Sequence, residues 1–376
     1  MSIFTVFFCG TGSNKFDPHN PNYWNGELVS TLANNMASKE FADWIVIDGP
    51  GSGNLQADEL FTSPGGYGMT GTLFGSGWEE NVQHAMNVMK GHTTWQRTEL
   101  TQKEHDRLTK AGVPIPPVEV GNSWFWRRYD YGKRHVTQQQ LQEQIIKTFR
   151  KGEIIPKQVN LVGWSRGGIS CHMLANAMLA DPKLKHINVN ILALDPVPGL
   201  GNCQPHRIKL GSNVKEYVAF YARDERSKGF ACVIPQMDSS TAVHVYPMVG
   251  RHATLVGNAA LDGIKGPRVV EQPGLVVRHY AERCLTRWGS ALNKMLKLTP
   301  AQINAHLKTI ADRQVMYLDM RKHSYTKITE HEGDERYVTL GSKGVKFSLV
   351  AGLNFKPDTG LSAPIAKSAE DYKHIS

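Results

Sequence analysis

The sequence predicts an α/β protein in which a mostly parallel sheet carries helices on both faces. Short apolar runs alternate along the chain with segments whose apolar residues recur at helical spacing. Three of the later apolar runs are followed directly by polar, reactive residues. Functional residues of open α/β sheets gather beyond the carboxyl ends of the strands, so this arrangement indicates one site at one edge of a sheet.

The first half of the chain alternates between predicted strands and helices. We predict strands at residues 3–8 and 44–48 and helices at residues 25–38 and 78–90. Residues 49–77 are glycine-rich with scattered apolar side chains, which fits either a surface loop or a mobile flap beside the site. Residues 92–134 are polar, basic and rich in proline and tryptophan, so we interpret them as an insertion in the core. A polar helix is predicted at residues 136–151.

The turn at residues 163–167, Gly-Trp-Ser-Arg-Gly, is the strongest functional signal in the sequence. It joins a predicted strand at residues 159–163 to a predicted helix that ends near residue 181. A G-x-S-x-G turn between a strand and a helix is the pattern of a nucleophile elbow, where glycines permit the tight turn and the serine projects beyond the sheet. Ser165 is therefore the predicted nucleophile, and the predicted architecture is α/β-hydrolase-like.

Three strands after this helix carry the candidate acid and base. Predicted strands at residues 189–194, 215–222 and 243–249 are followed by Asp195, Asp224 and His252. The order serine, aspartate, histidine along the chain is that of α/β-hydrolases.

Local context decides among the candidates for the base and for the acid. His252 is the predicted base because it lies on a loop just after a late strand, with His244 and His279 as alternatives. Asp195 is favoured as the acid, because a carboxylate in an apolar stretch needs a reason to be buried. Asp224 remains the alternative acid.

An oxyanion hole needs backbone N–H donors beside the nucleophile. The amide of Arg166, directly after the serine, is the predicted first donor. The glycine turn Gly10-Thr11-Gly12, which follows the first strand, is predicted to supply the second, with a plain turn as the alternative.

Composition restricts the classes of partner. The formal net charge of +9 over 376 residues suggests an anionic partner, and since no nucleic-acid motif accompanies it we favour a lipid surface. No apolar run approaches the length of a membrane span, and the first residues lack the basic region of a signal peptide. The five cysteines are widely spaced without a C-x-x-C pair, which indicates reduced thiols. We expect neither a metal nor an organic cofactor.

We place a catalytic domain at residues 1–298 and a C-terminal α+β extension at residues 299–376. Predicted helices at residues 275–296 and 301–321 flank that boundary, and residues 337–353 alternate like two short strands around a glycine turn. The final 20 residues have the composition of a disordered end. We assign no chemistry to the extension, which either caps the core or binds a partner.

Five stretches of this chain share a pattern with known proteins: FFCGTGSN, GWSRGG, LALDPVPG, YARDERSKGF and GRH. They resemble motifs of the α/β-hydrolase domain of type VI secretion lipase effectors. Those motifs are F-x-D-G-T-G-N at the start, G-F-S-R-G-A at the elbow, and F-D-T-V-G-S-x-G, A-x-D-E-R-R-x-x-F and G-x-H at the later strand ends. They cover residues 1 to about 260 in the same order.

The resemblance implies a phospholipase-type serine esterase with Ser165, Asp195 and His252 as its triad, and commonly an antibacterial toxin. It implies an enzyme made in the cytoplasm, delivered into target cells and active at the membrane or in the periplasm. A phospholipid surface, an immunity protein and a component of the secretion apparatus are the expected partners. Two alternatives stay open: a serine hydrolase of small soluble esters or thioesters, and a catalytically silent hydrolase fold that acts as a binding module.

Overall fold

The computed structural model describes most of the predicted α/β core. The described residues are 2–49, 78–91, 155–199, 202, 204–227, 229–323, 325, 336–340, 343–346 and 366–376, with short strands at 100–101, 118–120 and 128–130. Two predicted segments lie outside these residues. They are the glycine-rich segment 49–77, predicted as a surface loop or a flap, of which only Gly49 is described, and the predicted helix at 136–151.

Within the described residues the chain forms strands and helices in alternation. The strands are β1 (Ile3–Phe8), β2 (Trp44–Ile47), β3 (Leu100–Thr101), β4 (Val118–Val120), β5 (Arg128–Asp130), β6 (Gln158–Trp164), β7 (Asn188–Leu194), β8 (Val214–Ala222), β9 (Cys232–Val233), β10 (Ala242–Met248), β11 (Tyr337–Leu340) and β12 (Lys343–Lys346). The helices are α1 (Leu28–Asn34), α2 (Trp78–Met89), α3 (Arg166–Ala180), α4 (Pro205–Ile208), α5 (Gln272–Arg287), α6 (Pro300–Asp312) and α7 (Gln314–Asp319).

The main sheet confirms the predicted fold class. Its described strands number six, in the order β10-β8-β7-β6-β1-β2, and every neighbouring pair is parallel. The first strand of the chain lies inside the sheet, between β6 and β2. All carboxyl ends therefore lie along one edge, where β1, β6, β7, β8 and β10 deliver their turns.

Alternation along the strands explains why helices cover both faces. In β1, Phe4, Val6 and Phe8 face the cluster formed with α2, α3 and α4. Phe7 faces the opposite cluster, formed with α1, α5, α6 and α7. Successive side chains of a strand point to opposite faces, and a fully buried large apolar side chain is worth about 1.5–3 kcal/mol. β1 carries large apolar side chains on both faces and therefore needs both layers.

The last third of the chain differs from prediction at three places. The predicted helix 275–296 ends nine residues early, since α5 stops at Arg287 and Gly289 takes a left-handed conformation with φ of +88°. The predicted helix 301–321 divides into α6 and α7 around Arg313, whose φ of −103° and ψ of 18° are not helical. The prediction of a disordered end is wrong for residues 366–376, because Tyr372 and Ile375 are fully buried against α5.

The predicted insertion at residues 92–134 contributes β3, β4 and β5, which form an antiparallel sheet in the order β3-β5-β4. A second small sheet joins β9 to β11 in parallel and β11 to β12 in antiparallel orientation. It brings the C-terminal part of the chain beside the loop after β8. No helix in the described part of the chain is long and apolar enough to cross a membrane.

Candidate active site

Ser165 occupies a strained turn between β6 and α3. Its φ of 58° and ψ of −126° lie in a region that non-glycine residues rarely adopt. The surrounding backbone holds this conformation: Ser165 N–H donates to the carbonyl of Leu194 at 3.0 Å, and its carbonyl accepts the N–H of Gly168 at 3.0 Å. The strain of about 1–3 kcal/mol is maintained by neighbouring contacts, as at a nucleophile elbow.

The two motif glycines at this turn are required by close backbone contacts. A Cβ at Gly163 would lie 2.2 Å from the carbonyl oxygen of Gly167. A Cβ at Gly167 would lie 2.1 Å from the carbonyl oxygen of Phe8. Both obstacles are backbone atoms that cannot rotate away, so the elbow places α3 directly against the end of β1.

His252 begins a short 3₁₀ helix, His252–Val256, after β10. Its imidazole lies 5.1 Å, between ring centroids, from Trp164, the residue before Ser165, and 5.1 Å from the ring of Phe230. The imidazole is 3% exposed, and among the described residues its Nε2 atom has no hydrogen-bond partner. The ring is therefore packed beside the elbow with one nitrogen available.

Asp195 holds the other nitrogen of this imidazole. Its Oδ2 atom lies 2.5 Å from Nδ1 of His252. Its Oδ1 atom accepts the N–H of Ala222 at 3.0 Å and a guanidinium N–H of Arg336 at 2.5 Å. Burial alone would raise the pKa of Asp195, but the charge of Arg336 and the bond to His252 outweigh burial and lower it. The carboxylate is therefore held ionised and aimed at the imidazole.

Arg336 was missed by the sequence analysis. Its side chain is 1% exposed, and besides Asp195 it donates to the carbonyls of Ala222 at 2.6 Å and Phe230 at 2.7 Å. Burial alone would lower the pKa of Arg336, but the charge of Asp195 raises it. Nothing local in the sequence around residue 336 distinguishes it from a surface arginine, so only the pairing of β11 with β9 reveals its place.

Asp224 has no described hydrogen bond to the imidazole of His252. Its Oδ2 atom accepts the N–H of Gly250 at 2.9 Å, and its Oδ1 atom accepts Nε of Arg321 at 2.9 Å and of Arg223 at 3.2 Å. These bonds tie the end of β8 to the end of β10. Asp224 thus has the contacts of a structural ion pair rather than those of a triad acid.

Glu225 was also missed, although it lies within the YARDERSKGF motif. Its Oε1 atom accepts the N–H groups of Arg226 at 3.0 Å and Ser227 at 2.7 Å. Its Oε2 atom accepts the N–H of His252 at 3.2 Å and lies 3.4 Å from Nε of Arg251. Glu225 therefore fixes the backbone at the residue that carries the imidazole.

The alternative histidines lie elsewhere. His244 in β10 stacks on His374 and lies 3.6 Å from Glu216. His279 in α5 accepts the N–H of Leu298 at 3.2 Å through Nδ1. Neither has a described contact with Asp195, whereas Nδ1 of His252 lies 2.5 Å from its Oδ2 atom.

The predicted oxyanion donors lie on two adjoining segments. Arg166 begins α3, where the first N–H groups of a helix have no partner within the helix. Its guanidinium donates to Oγ1 of Thr11 at 3.0 Å, and a Cβ at Gly10 would contact the ring of Trp164. The amides of Gly10, Thr11 and Gly12 donate no hydrogen bond to any residue in the described ranges. The glycine turn therefore lies beside the elbow with its N–H groups available.

Tyr325 supports the same loop from the C-terminal side. Its hydroxyl accepts the N–H of Ala253 at 3.2 Å and donates to the carbonyl of Gly263 at 2.9 Å. Its ring stacks on Phe230 at 5.1 Å between centroids and lies under the guanidinium of Arg251.

The described cysteines 9, 171, 232 and 284 are buried and form no disulfide with one another. In the described ranges no cluster of three His, Cys, Asp or Glu side chains could hold a metal ion.

Comparison with known proteins gives distant structural neighbours only. No family model and no curated protein matches the chain. An uncharacterized protein from Pseudomonas aeruginosa is similar over 85% of this chain and 52% of its own length, with 12% sequence identity and a TM-score of 0.48. The Tle1 effector bound to the VgrG spike of the type VI secretion system is a distant neighbour over 68% of this chain and 50% of its own, with 14% identity and a TM-score of 0.32. The chain thus spans about half the length of each of these two structures.

Proposed function

We propose that this chain is a serine esterase in which Ser165 is the nucleophile, His252 the general base and Asp195 the acid of the triad. The observation that carries the proposal is the geometry at the sheet edge. A strained serine follows β6, and an imidazole packed against the adjacent Trp164 is held through Nδ1 by a buried carboxylate 2.5 Å away. This combination of nucleophile, base and orienting acid is the general arrangement of serine hydrolases.

The proposed reaction has two halves. Ser165 Oγ bonds to the ester carbonyl carbon while its proton moves to Nε2 of His252, and the resulting imidazolium protonates the departing alcohol as the ester C–O bond breaks. Water then attacks the acyl enzyme while His252 takes its proton. The imidazolium passes this proton to Ser165 Oγ as the acyl C–O bond breaks, which releases the acid and restores the serine. The amide of Arg166 and one amide from Gly10 to Gly12 stabilise the negative oxygen in both halves.

Phospholipid acyl esters are the proposed substrates. Two features of the sequence support this choice: the motifs shared with lipase effectors and the net charge of +9, which would favour an anionic lipid surface. The same resemblance supports delivery by a secretion apparatus into target cells, with an immunity protein protecting the producer. We accordingly propose the membrane or the periplasm of the target as the site of action.

The first experiment is fatty-acid release from vesicles of phosphatidylethanolamine and phosphatidylglycerol. The wild-type protein is compared with Ser165→Ala and with Ser240→Ala, whose serine is exposed in a turn near β10. We expect Ser165→Ala to lose at least about 10⁴-fold in rate, as serine hydrolases do without the nucleophile, and Ser240→Ala to match the wild type.

Labelling with a fluorophosphonate separates the possible results. Labelling that is absent only in Ser165→Ala, together with vesicle hydrolysis, supports the full proposal. Labelling with hydrolysis of soluble esters alone contradicts the lipid substrate and favours the small-ester alternative. A folded wild-type protein that neither reacts with the probe nor hydrolyses any ester contradicts the enzyme proposal and favours a binding module.

A further inference from the structure

We propose that Arg336, supplied by the C-terminal part of the chain, is a positioning residue of the active site that sets both the orientation of Asp195 and the basicity of His252. The inference rests on the proposed function. The C-terminal segment would then complete the active site rather than merely cover the core.

The first step of the argument is geometric. One guanidinium nitrogen of Arg336 lies 2.5 Å from Oδ1 of Asp195 and 2.6 Å from the carbonyl of Ala222, and the other lies 2.7 Å from the carbonyl of Phe230. The planar fork therefore fixes three acceptors relative to one another. With Oδ1 held by Arg336 and by the N–H of Ala222, the Oδ2 atom is left facing His252.

The second step concerns charge. A triad acid stabilises the imidazolium that forms when histidine accepts the serine proton. A buried cation beside that carboxylate weakens its stabilisation of the imidazolium, because the same negative charge then interacts with two cations where the local dielectric is low. Removing the charge of Arg336 should therefore strengthen the attraction between Asp195 and the imidazolium of His252.

The surrounding titratable groups do not duplicate this effect. The groups that interact with Asp195 or Arg336 from the packed elements are His252, Glu225, Cys232, Tyr221, Tyr325 and Arg226. Glu225 bonds to backbone N–H groups, and burial raises the pKa of Cys232 to about 12, so that thiol is neutral at ordinary pH. Among the described residues Arg336 is the cation that touches the triad carboxylate.

Arg336 belongs to a part of the chain that is distant in sequence from Asp195. It lies 141 residues beyond Asp195 and directly before β11, whose Val338 and Thr339 pair with Cys232 and Val233 of β9. The strand pairing carries the guanidinium to the end of β7. The pairing of β11 with β9 therefore also places Arg336 against Asp195.

The test compares Arg336→Gln, which removes the charge and keeps an N–H donor, with Arg336→Lys, which keeps the charge and loses the fork. Arg321→Gln serves as the matched control, because Arg321 pairs with Asp224 and does not touch Asp195. The readouts are the pH dependence of kcat/KM for ester hydrolysis and the NMR titration of His252, assigned with a His252→Gln variant. Cooperative unfolding verifies that each variant is folded.

We expect Arg336→Gln to raise the titration midpoint of His252, and with it the acidic limb of kcat/KM, by about one pH unit, the effect of removing one nearby charge. Arg336→Lys should leave the midpoint in place and lower kcat roughly tenfold to a hundredfold through misplacement of Asp195. Arg321→Gln should leave the midpoint unchanged.

An unchanged His252 midpoint in folded Arg336→Gln would overturn the electrostatic role, and wild-type kcat in Arg336→Lys would overturn the positioning role. If Arg336→Gln does not fold, the kcat and midpoint of Arg336→Lys decide. The NMR titration needs no turnover, so an inactive wild-type protein would contradict the proposed esterase while the titration still decides the role of Arg336.

Discussion

The ends of the neighbouring strands β7 and β8 carry buried aspartates with different partners. Asp195, after β7, faces an imidazole with one oxygen and an arginine with the other. Asp224, after β8, faces a backbone N–H and two arginines. Both carboxylates are 0% exposed, so burial does not distinguish them. The two carboxylates are therefore distinguished by their partners, most of which come from other parts of the chain.

The largest expected effect separates the two carboxylates by activity. Asp195→Asn should lower kcat by about 10⁴-fold, because the amide N–H faces Nδ1 of His252 and forces the proton onto Nε2, where it blocks general base catalysis. Ester hydrolysis at a temperature where the variant is folded provides the measurement. Equal activity losses in Asp195→Asn and Asp224→Asn would contradict the different roles expected of the two carboxylates.

Asp224 should contribute to the free energy of unfolding more than to activity, unlike Asp195. Asp224→Asn leaves Arg321 and Arg223 without their buried carboxylate, so we expect a loss of about 3 kcal/mol in the free energy of unfolding, as for other broken buried pairs. Activity of the folded variant should stay within roughly tenfold of wild type, because Asp224 holds the loop that carries His252 without touching the ring. Urea denaturation and ester hydrolysis on the same preparation measure both quantities.

Local sequence was sufficient to predict one part of the site and insufficient for another. The strand bounds and the elbow follow from alternation and from glycines whose neighbours are backbone atoms, so each is encoded within a few residues. The choice between Asp195 and Asp224 could not be made firmly from such information, since both follow apolar strands in the same manner. Arg336 could not be found at all, because its role depends on β11 reaching β9 from about a hundred residues further along the chain. The predicted boundary at residue 298 and the triad roles stay predictions.

Helix ends show the same limit on a smaller scale. The periodicity after residue 287 continues to favour a helix, yet Gly289 turns the chain and Leu292 pairs with Met36. Tyr372 and Ile375 lie in a polar stretch that composition alone assigns to disorder. Their burial is a consequence of the apolar surface that α5 offers, which is a tertiary property.

The contribution of Asp195 to the free energy of unfolding should depend on pH in the acid range. The pKa of this carboxyl is lowered in the folded state, because the charge of Arg336 and the bond to His252 exceed the opposing effect of burial. Its ionisation therefore stabilises the fold above its unfolded pKa of about 3.9, and that contribution is lost as pH falls through the lower folded value. We expect the stability difference between wild type and Asp195→Asn to shrink as pH falls below about 4, where this carboxyl becomes protonated in the unfolded chain.

Urea denaturation at several pH values measures that difference, with Asp195→Asn as its own pH-insensitive reference at this position. A difference that grows as pH falls below about 4 would mean that the carboxyl is protonated in the folded protein. It would contradict both the ion pair with Arg336 and the assignment of Asp195 to the triad.

The smallest expected effect comes from Tyr325, which contacts the loop that carries His252. Tyr325→Phe removes a hydroxyl that accepts the N–H of Ala253 and donates to the carbonyl of Gly263. Leaving these groups unpaired should cost about 1–2 kcal/mol in the free energy of unfolding and lower kcat a few-fold through the neighbouring His252. Tyr372→Phe is the matched control, since that buried hydroxyl has no partner among the described residues and its removal should cost almost nothing. Equal stability of the two variants would show that the Tyr325 hydroxyl does not hold the loop.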